Sequence, residues 1–254
     1  LTTTNDVGRA LAEICEEAAA LILPLWRSGV QVITKSDESP VTEADRRGEG
    51  LILQRLAERF PGVPVVSEED SSEFGTPTAI GPRFFLVDPL DGTKAFVRGD
   101  PNFTVNIALV EDRRPVAGAI CAPPTGETWF TEAGVVRKRI QGGAEQSVRA
   151  RSWPSDPLAL VSHTMTADAA QALADRYGVT RREPMDSSIK FCRLAEGAAD
   201  LYVRYGPTSE WDIAAGHAIL QAAGGQVLTP EGEPFLYGKA DQQFRNGPFV
   251  ARGS

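Results

Sequence analysis

The apolar run Phe85-Leu86-Val87 stops at Asp88-Pro89-Leu90-Asp91-Gly92-Thr93, and this junction limits what the chain can fold into. The run reads as a buried strand that ends on two aspartates three residues apart. Two carboxylates about 4 Å apart repel by roughly 4 kcal/mol at an effective dielectric of about 20, so such a strand end calls for a cation between them. Carboxylate and carbonyl oxygens suit a hard divalent ion, Mg²⁺ or Ca²⁺. Gly92 then lets the backbone approach closely, and Thr93 opens a helix whose first N–H groups would face a phosphate. An Asp-Gly turn in a surface loop accounts for Asp91 and Gly92, but not for an acid that directly closes a hydrophobic strand.

Further acids sit in comparable places. Val63 to Val66 reads as a short strand running into Ser67-Glu68-Glu69-Asp70. Asp45 falls in the first turn of a helix opened by Ser39-Pro40-Val41-Thr42, where the helix dipole by itself favours a carboxylate. Asp212 begins the last long helix, which runs to Ala223 and closes at Gly224-Gly225. Strand ends and helix starts of layered α/β folds collect active sites.

The rest reads as scaffold. Val7, Ala10, Leu11, Ile14, Ala18, Leu21, Ile22 and Leu25 recur at helical spacing, with Thr4, Asn5 and Asp6 as caps. An extended piece, Gln31 to Lys35, precedes a polar run from Ser36 to Ser39, and Ser71 to Pro82 reads as a loop. Phe103 to Val110, Pro115 to Cys121 and Thr128 to Thr131 form strands joined by short turns, an antiparallel meander. The basic stretch from Val136 to Trp153 reads as a connection. Beyond it, strand and helix alternate: Leu158 to Ser162, Thr166 to Tyr177, an extended piece near Val179, Ser188 to Glu196, and Leu201 to Tyr205. This pattern predicts an α+β unit over residues 1–153 carrying most of the acids, and an α/β unit over 154–254 carrying Asp212.

A formal charge of −8 and a pI near 5.0 argue against a binder of duplex DNA or of anionic membranes. No apolar run approaches the ~20 residues of a membrane span, and the start lacks the plan of a signal peptide. A cytoplasmic protein is expected, with peripheral membrane association left open. Cys15, Cys121 and Cys192 are too few and too scattered for a disulfide framework or a zinc site and read as buried or bystander thiols. His217, five positions after Asp212 on the same helix, faces away from it.

Val66-Ser67-Glu68-Glu69, Asp88-Pro89-Leu90-Asp91-Gly92-Thr93 and Trp211-Asp212-Ile213-Ala214-Ala215-Gly216, in that order, resemble the signatures of the inositol monophosphatase superfamily of Mg²⁺-dependent, lithium-sensitive phosphatases. Within it, Asp91 to Phe96, Ser187 to Cys192 and Tyr205 to Asp212 look most like the bacterial 3′(2′),5′-bisphosphate nucleotidases, which remove one phosphate from 3′-phosphoadenosine 5′-phosphate. The resemblance implies a layered αβαβα sandwich of α/β class and a phosphoric monoester hydrolase that uses two or three Mg²⁺ ions. It implies Glu68, Asp88, Asp91, Asp212 and the carbonyl of Leu90 as metal ligands, with Glu68 also orienting the attacking water. Asp45 and Thr93 would form a dyad in which the carboxylate accepts the threonine hydroxyl and the threonine orients water, while the N–H groups of Gly92 and Thr93 hold phosphate.

His163, Lys190 and Arg204 are candidate substrate contacts. Arg204 stands where inositol-preferring relatives tend to carry a carboxylate, and a guanidinium there favours a second anionic group. An inositol monophosphatase, or another small sugar phosphate phosphatase of the same architecture, remains the alternative. The implied partner is a small phosphorylated nucleotide rather than a nucleic acid polymer, bound by a monomer or homodimer. Ser67 in place of a common glycine, and Ala95 in place of a common acid, bear on specificity.

Overall fold

The structure, a computed structural model, describes residues 4–29, 32–34, 40–141, 143–163 and 165–254. The predicted polar run Ser36 to Ser39, with Gln31 and Lys35, lies outside the described residues. Helix α1 (Thr4–Ser28) follows the predicted spacing, with Val7, Leu11, Ile14, Ala18 and Ile22 all buried. It already includes Thr4 to Asp6, so the residues expected as caps belong to its first turn. A ribbon of β1 (Val32–Thr34) and β2 (Pro40–Thr42) leads into α2 (Glu43–Arg59). Next come β3 (Val65–Ser67), α3 (Glu68–Phe74), β4 (Arg83–Asp91) and α4 (Thr93–Arg98). The loop expected from Ser71 starts later, because Glu68, Glu69 and Asp70 occupy the first turn of α3, where carboxylates are favoured, and the turn propagates to Phe74.

From β4 the chain meanders antiparallel through β5 (Thr104–Glu111), β6 (Arg114–Ala122), β7 (Glu127–Glu132), β8 (Val135–Ile140) and β9 (Gln146–Val148). Strand β3 adds parallel to β4 at the opposite edge. Strands β8 and β9 correct the expected connection. Val136 and Lys138 point inward, while Arg137, Lys138 and Arg139 pair with Glu132, with Glu127 and Glu196, and with Glu16. Paired charge here hides a strand's alternation.

The remaining elements are β10 (Leu158–Val161), α5 (Ala167–Tyr177), β11 (Arg181–Pro184), α6 (Ile189–Ala195), β12 (Leu201–Arg204), β13 (Thr208–Ser209), α7 (Glu210–Ala222), β14 (Gln226–Leu228), β15 (Arg245–Asn246) and β16 (Phe249–Arg252). Five of the strands form a mixed sheet ordered β11-β10-β12-β16-β14. The two large sheets separate at the segment between β9 and β10, while the middle apolar cluster draws residues from both sides of it.

Side-chain alternation sets the layers. Phe85 and Val87 of β4, with Val105, Ile107 and Leu109 of β5, face α1 and α2 in one apolar cluster. Phe84, Leu86, Ala108 and Val110 face the other way, onto α6 and α7. The far side of those helices meets Leu158, Leu160, Tyr202 and Phe249 of the second sheet, whose outer face covers Leu173 of α5. Helix, sheet, helix, sheet and helix thus follow one another, the expected αβαβα sandwich. Helix α7 is its inner layer, buried from Glu210 to Leu220 except at Asp212, as befits a helix apolar on every side. Missing side chains make room for it: a Cβ on Gly118 would come within 2.8 Å of the Ala215 carbonyl oxygen, and one on Gly216 within 2.3 Å of the Phe191 ring.

Cys15, Cys121 and Cys192 are buried free thiols. Among the described residues no helix is long and apolar enough to cross a membrane.

Candidate active site

Three chain ends converge. Strands β3 and β4 run parallel with Ser67 opposite Val87, so they deliver Glu68 and Asp88 to the same edge of the sheet. Beneath the sheet, the first turn of α7 delivers Asp212. One carboxylate oxygen from each of Glu68, Asp88 and Asp212 lies within 4.8 Å of the others. Asp88 is 1% exposed, and its Oδ1 accepts the Leu90 N–H at 3.0 Å across the irregularity that Pro89 imposes on β4. Asp212 Oδ2 accepts the Ser209 N–H at 2.8 Å. Asp91 lines the same cavity and turns Oδ2 to the Ser188 N–H, so it stands beside the trio rather than within it.

Burial, followed by Glu68, Asp91 and Asp212, pushes the Asp88 carboxyl well above the usual carboxylate range. Burial with Asp91 and Glu68 does the same to Asp212. Burial also raises Asp91, with Lys190 and the Ser188 N–H opposing. Oxygen donors that are buried and repel one another fit a hard divalent cation, whose charge would favour the ionised carboxylates and so oppose all three shifts.

Next to this group, α2 supplies a second constellation. Thr42 Oγ1 accepts the Ala44 N–H at 3.1 Å, and Asp45 Oδ2 accepts the Thr42 N–H at 2.8 Å and its hydroxyl at 2.6 Å. The capping box holds Asp45 so that Oδ1 accepts from Thr93 Oγ1 at 3.2 Å, and that hydroxyl is equally close to the Leu90 carbonyl. Cap and site residue are the same side chain. Burial pushes Asp45 up to about 6, against the pull of the Thr42 hydrogen bonds. Gly92 precedes α4 with φ +96°, and a Cβ there would lie 3.0 Å from the Asn102 carbonyl oxygen, so the approach requires glycine.

A cavity of about 360 Å³ is lined by Glu68, Asp91, Thr93 and Asp212 and also by the basic residues Lys190 and Arg204. Lys190 lies there, and α6 does not expose it: Nζ donates to the carbonyls of Ser187 at 2.6 Å and Met185 at 3.1 Å and sits 4.7 Å from the centre of the Tyr202 ring. Burial lowers it to about 8, with Asp91 and Asp186 opposing. Arg204 also lines the cavity, on the interior strand β12, and its buried Nε has no hydrogen-bond partner. His163 is exposed at the rim, with Nε2 3.8 Å from Asp186. His217 lies elsewhere, buried with Nδ1 2.9 Å from the Tyr237 hydroxyl, and burial lowers it to about 4.

Sequence reasoning missed the support beneath Asp91. Ser188, which donates its N–H to Asp91, lies with Oγ 2.8 Å from Asn106 Oδ1 and 2.9 Å from Thr104 Oγ1. Thr104 and Asn106 are polar at alternate positions of an apolar strand, and that was the available signal.

A profile of the inositol monophosphatase family matches residues 4–248. The chain is 43% identical to the 3'(2'),5'-bisphosphate nucleotidase CysQ of Salmonella typhimurium over 212 residues, 80% of this chain and 81% of the relative. It is 40% identical to the protein of the same name from Escherichia coli K12, covering 82% and 83%. The crystal structure of CysQ from Bacteroides thetaiotaomicron, described as a bacterial member of the inositol monophosphatase family, superposes with a TM-score of 0.79 at 32% identity, covering 98% of this chain and 97% of that one. With the three signature segments meeting in space as well as in order, the chain belongs to the inositol monophosphatase family, a family of phosphatases.

Proposed function

We propose that the protein is a Mg²⁺-dependent nucleotidase that hydrolyses 3′-phosphoadenosine 5′-phosphate to AMP and phosphate. One observation carries this reading: a single cavity is lined both by Glu68, Asp91, Asp212 and Thr93 and by the basic residues Lys190 and Arg204. A substrate with two phosphates would meet both sets of residues. The relatives named as bisphosphate nucleotidases, at 40% identity and above, support the same choice.

In this proposal Glu68, Asp88, Asp91, Asp212 and the Leu90 carbonyl hold two or three ions. When bound, these supply charge neutralisation of the phosphoryl oxygens and a lowered pKa for an attacking water. The protein's own part is aim. Asp45, largely ionised at neutral pH, accepts the Thr93 proton at Oδ1, which leaves the threonine oxygen's lone pairs facing the cavity to accept from the attacking water. Glu68 would also orient that water. The N–H groups of Gly92 and Thr93, at the start of α4 where no intrahelical partner exists, receive the departing phosphate. Lys190 keeps one of its three N–H donors for the second phosphate, Arg204 offers its guanidinium fork, and His163 contacts the substrate at the rim. Lithium inhibition, a cytoplasmic location and the units 1–153 and 154–254 are proposed on the resemblance and the sheet division together.

The test is phosphate release from a substrate panel with and without Mg²⁺. A higher kcat/KM for 3′-phosphoadenosine 5′-phosphate than for inositol monophosphate is expected. The reverse ranking would assign the cavity to a sugar or polyol phosphate instead.

A further inference from the structure

Glu49 is a buried acid, 3% exposed, that the chemistry above does not use. It lies one helical turn beyond Asp45 on α2, so both carboxylates leave the helix on the same face. Glu49 Oε2 accepts the N–H of Glu69 at 2.9 Å, and Oε1 accepts the N–H of Asp70 at 2.8 Å. Those are the second and third residues of α3, whose N–H groups have no partner within the helix. The residue placed to cap them is Ser67, yet its side chain makes no capping bond. A remote glutamate thus performs the task of the N-cap, with both oxygens engaged. The base of this fork is also fixed: a Cβ on Gly48 would meet Ile22 Cδ1 at 2.9 Å, and Pro89 packs beside it.

Glu68 is the first residue of the helix so held. We propose that Glu49 is a positioning residue for the metal centre, fixing the N-terminus of α3 so that the Glu68 carboxylate reaches Asp88 and Asp212. The inference rests on the reading of those acids as metal ligands. Helix α2 then sets both halves of the site, Thr93 through Asp45 and Glu68 through Glu49. A merely structural glutamate would stabilise α3 and leave ion affinity alone.

The experiment is Mn²⁺ titration followed by the electron paramagnetic resonance of the free ion, on wild type, Glu49→Gln, Glu68→Gln and the double variant. The amide of Glu49→Gln keeps the shape but presents an N–H₂ to one of the two N–H donors. Expected is an affinity about tenfold weaker in Glu49→Gln, the effect of an outer-shell partner, and no further loss when it is added to Glu68→Gln. Additive losses in the double variant, or wild-type affinity in Glu49→Gln, would overturn the assignment of Glu49. Absence of Mn²⁺ binding by the wild type would instead overturn the metal reading itself. If Glu49→Gln does not fold, Glu49→Asp carries the test: it keeps the charge but shortens the reach to the N–H groups of Glu69 and Asp70, and a two- to threefold weaker affinity, roughly 0.5 kcal/mol, is expected where an unchanged one would count against the role.

Discussion

Thr93 and Asp45 are 48 residues apart in sequence, yet the threonine hydroxyl lies 3.2 Å from the aspartate's Oδ1. A capping box on one helix and the first turn of another meet to make this contact, and neither needs the other to fold locally. Thr93→Val keeps the volume and deletes the hydroxyl. It is expected to lower kcat at least about a hundredfold, with Mn²⁺ affinity unchanged and KM within a few-fold of wild type. Steady-state kinetics beside metal titration would check this; a kcat near wild type would remove Thr93 from the chemistry.

In the proposed reading an ion separates the acids, and its removal exposes them to one another. Asp88 and Asp212 both have folded-state pKa values raised above the ordinary 3.8. Stability from such groups is fully present below the unfolded value and is lost as pH rises through the raised one. The thermal midpoint in EDTA should therefore fall as pH rises above about 4, and the gap between EDTA and Mg²⁺ samples should widen over the same range. At a hundred times the dissociation constant the ion adds about 2.7 kcal/mol. Asp88→Asn should raise the midpoint in EDTA and abolish most of the Mg²⁺ increment, measured by differential scanning calorimetry.

Arg204→Ala separates substrate selection from chemistry. Loss of a charge-assisted contact to a phosphate costs about 1.5–3 kcal/mol, so kcat/KM for the bisphosphate should drop roughly ten- to a hundredfold. A monophosphate substrate should lose far less. Equal losses for both would show that the guanidinium does not read the second phosphate.

Lys138 tests the strand that charge conceals. Its Nζ lies 2.7 Å from both Glu127 and Glu196, with all three side chains only 11–13% exposed. Although burial works against it, Arg193 and Lys138 bring Glu127 down to about 2. Lys138→Met removes the ammonium over Trp129 and strips a cationic partner from two largely buried acids, leaving them Arg193 and neutral hydrogen bonds from Trp129 Nε1 to Glu196 and Thr125 Oγ1 to Glu127. A loss of about 2–3 kcal/mol in urea unfolding is expected, with kcat within twofold of wild type.

Much of this molecule was legible in its sequence. The acids were found because a carboxylate at the end of an apolar strand conflicts with its surroundings, and such conflict marks a site. The helices α1, α5 and α7 and the meander up to β7 followed from periodicity. What stayed hidden was carried by pairing across distance. Strand β8 reads as a polar connection until Glu127, Glu132 and Glu196 are placed beside its basic residues. Glu49 reads as an ordinary helix acid until α3 arrives at its carboxylate. Lys190 was open to being a solvated lysine until Ser187 and Met185 turned their carbonyls toward it.

The tight seam along α7 reaches beyond packing. Gly118 of β6 and Gly216 of α7 leave no space for even a methyl group, and neither carries any chemistry. Because the same helix carries Asp212 to the acid cluster, widening the seam at either glycine would be felt one turn away as a mis-set carboxylate. Loss-of-function variants in such an enzyme should therefore include interior glycines that bear no functional group at all.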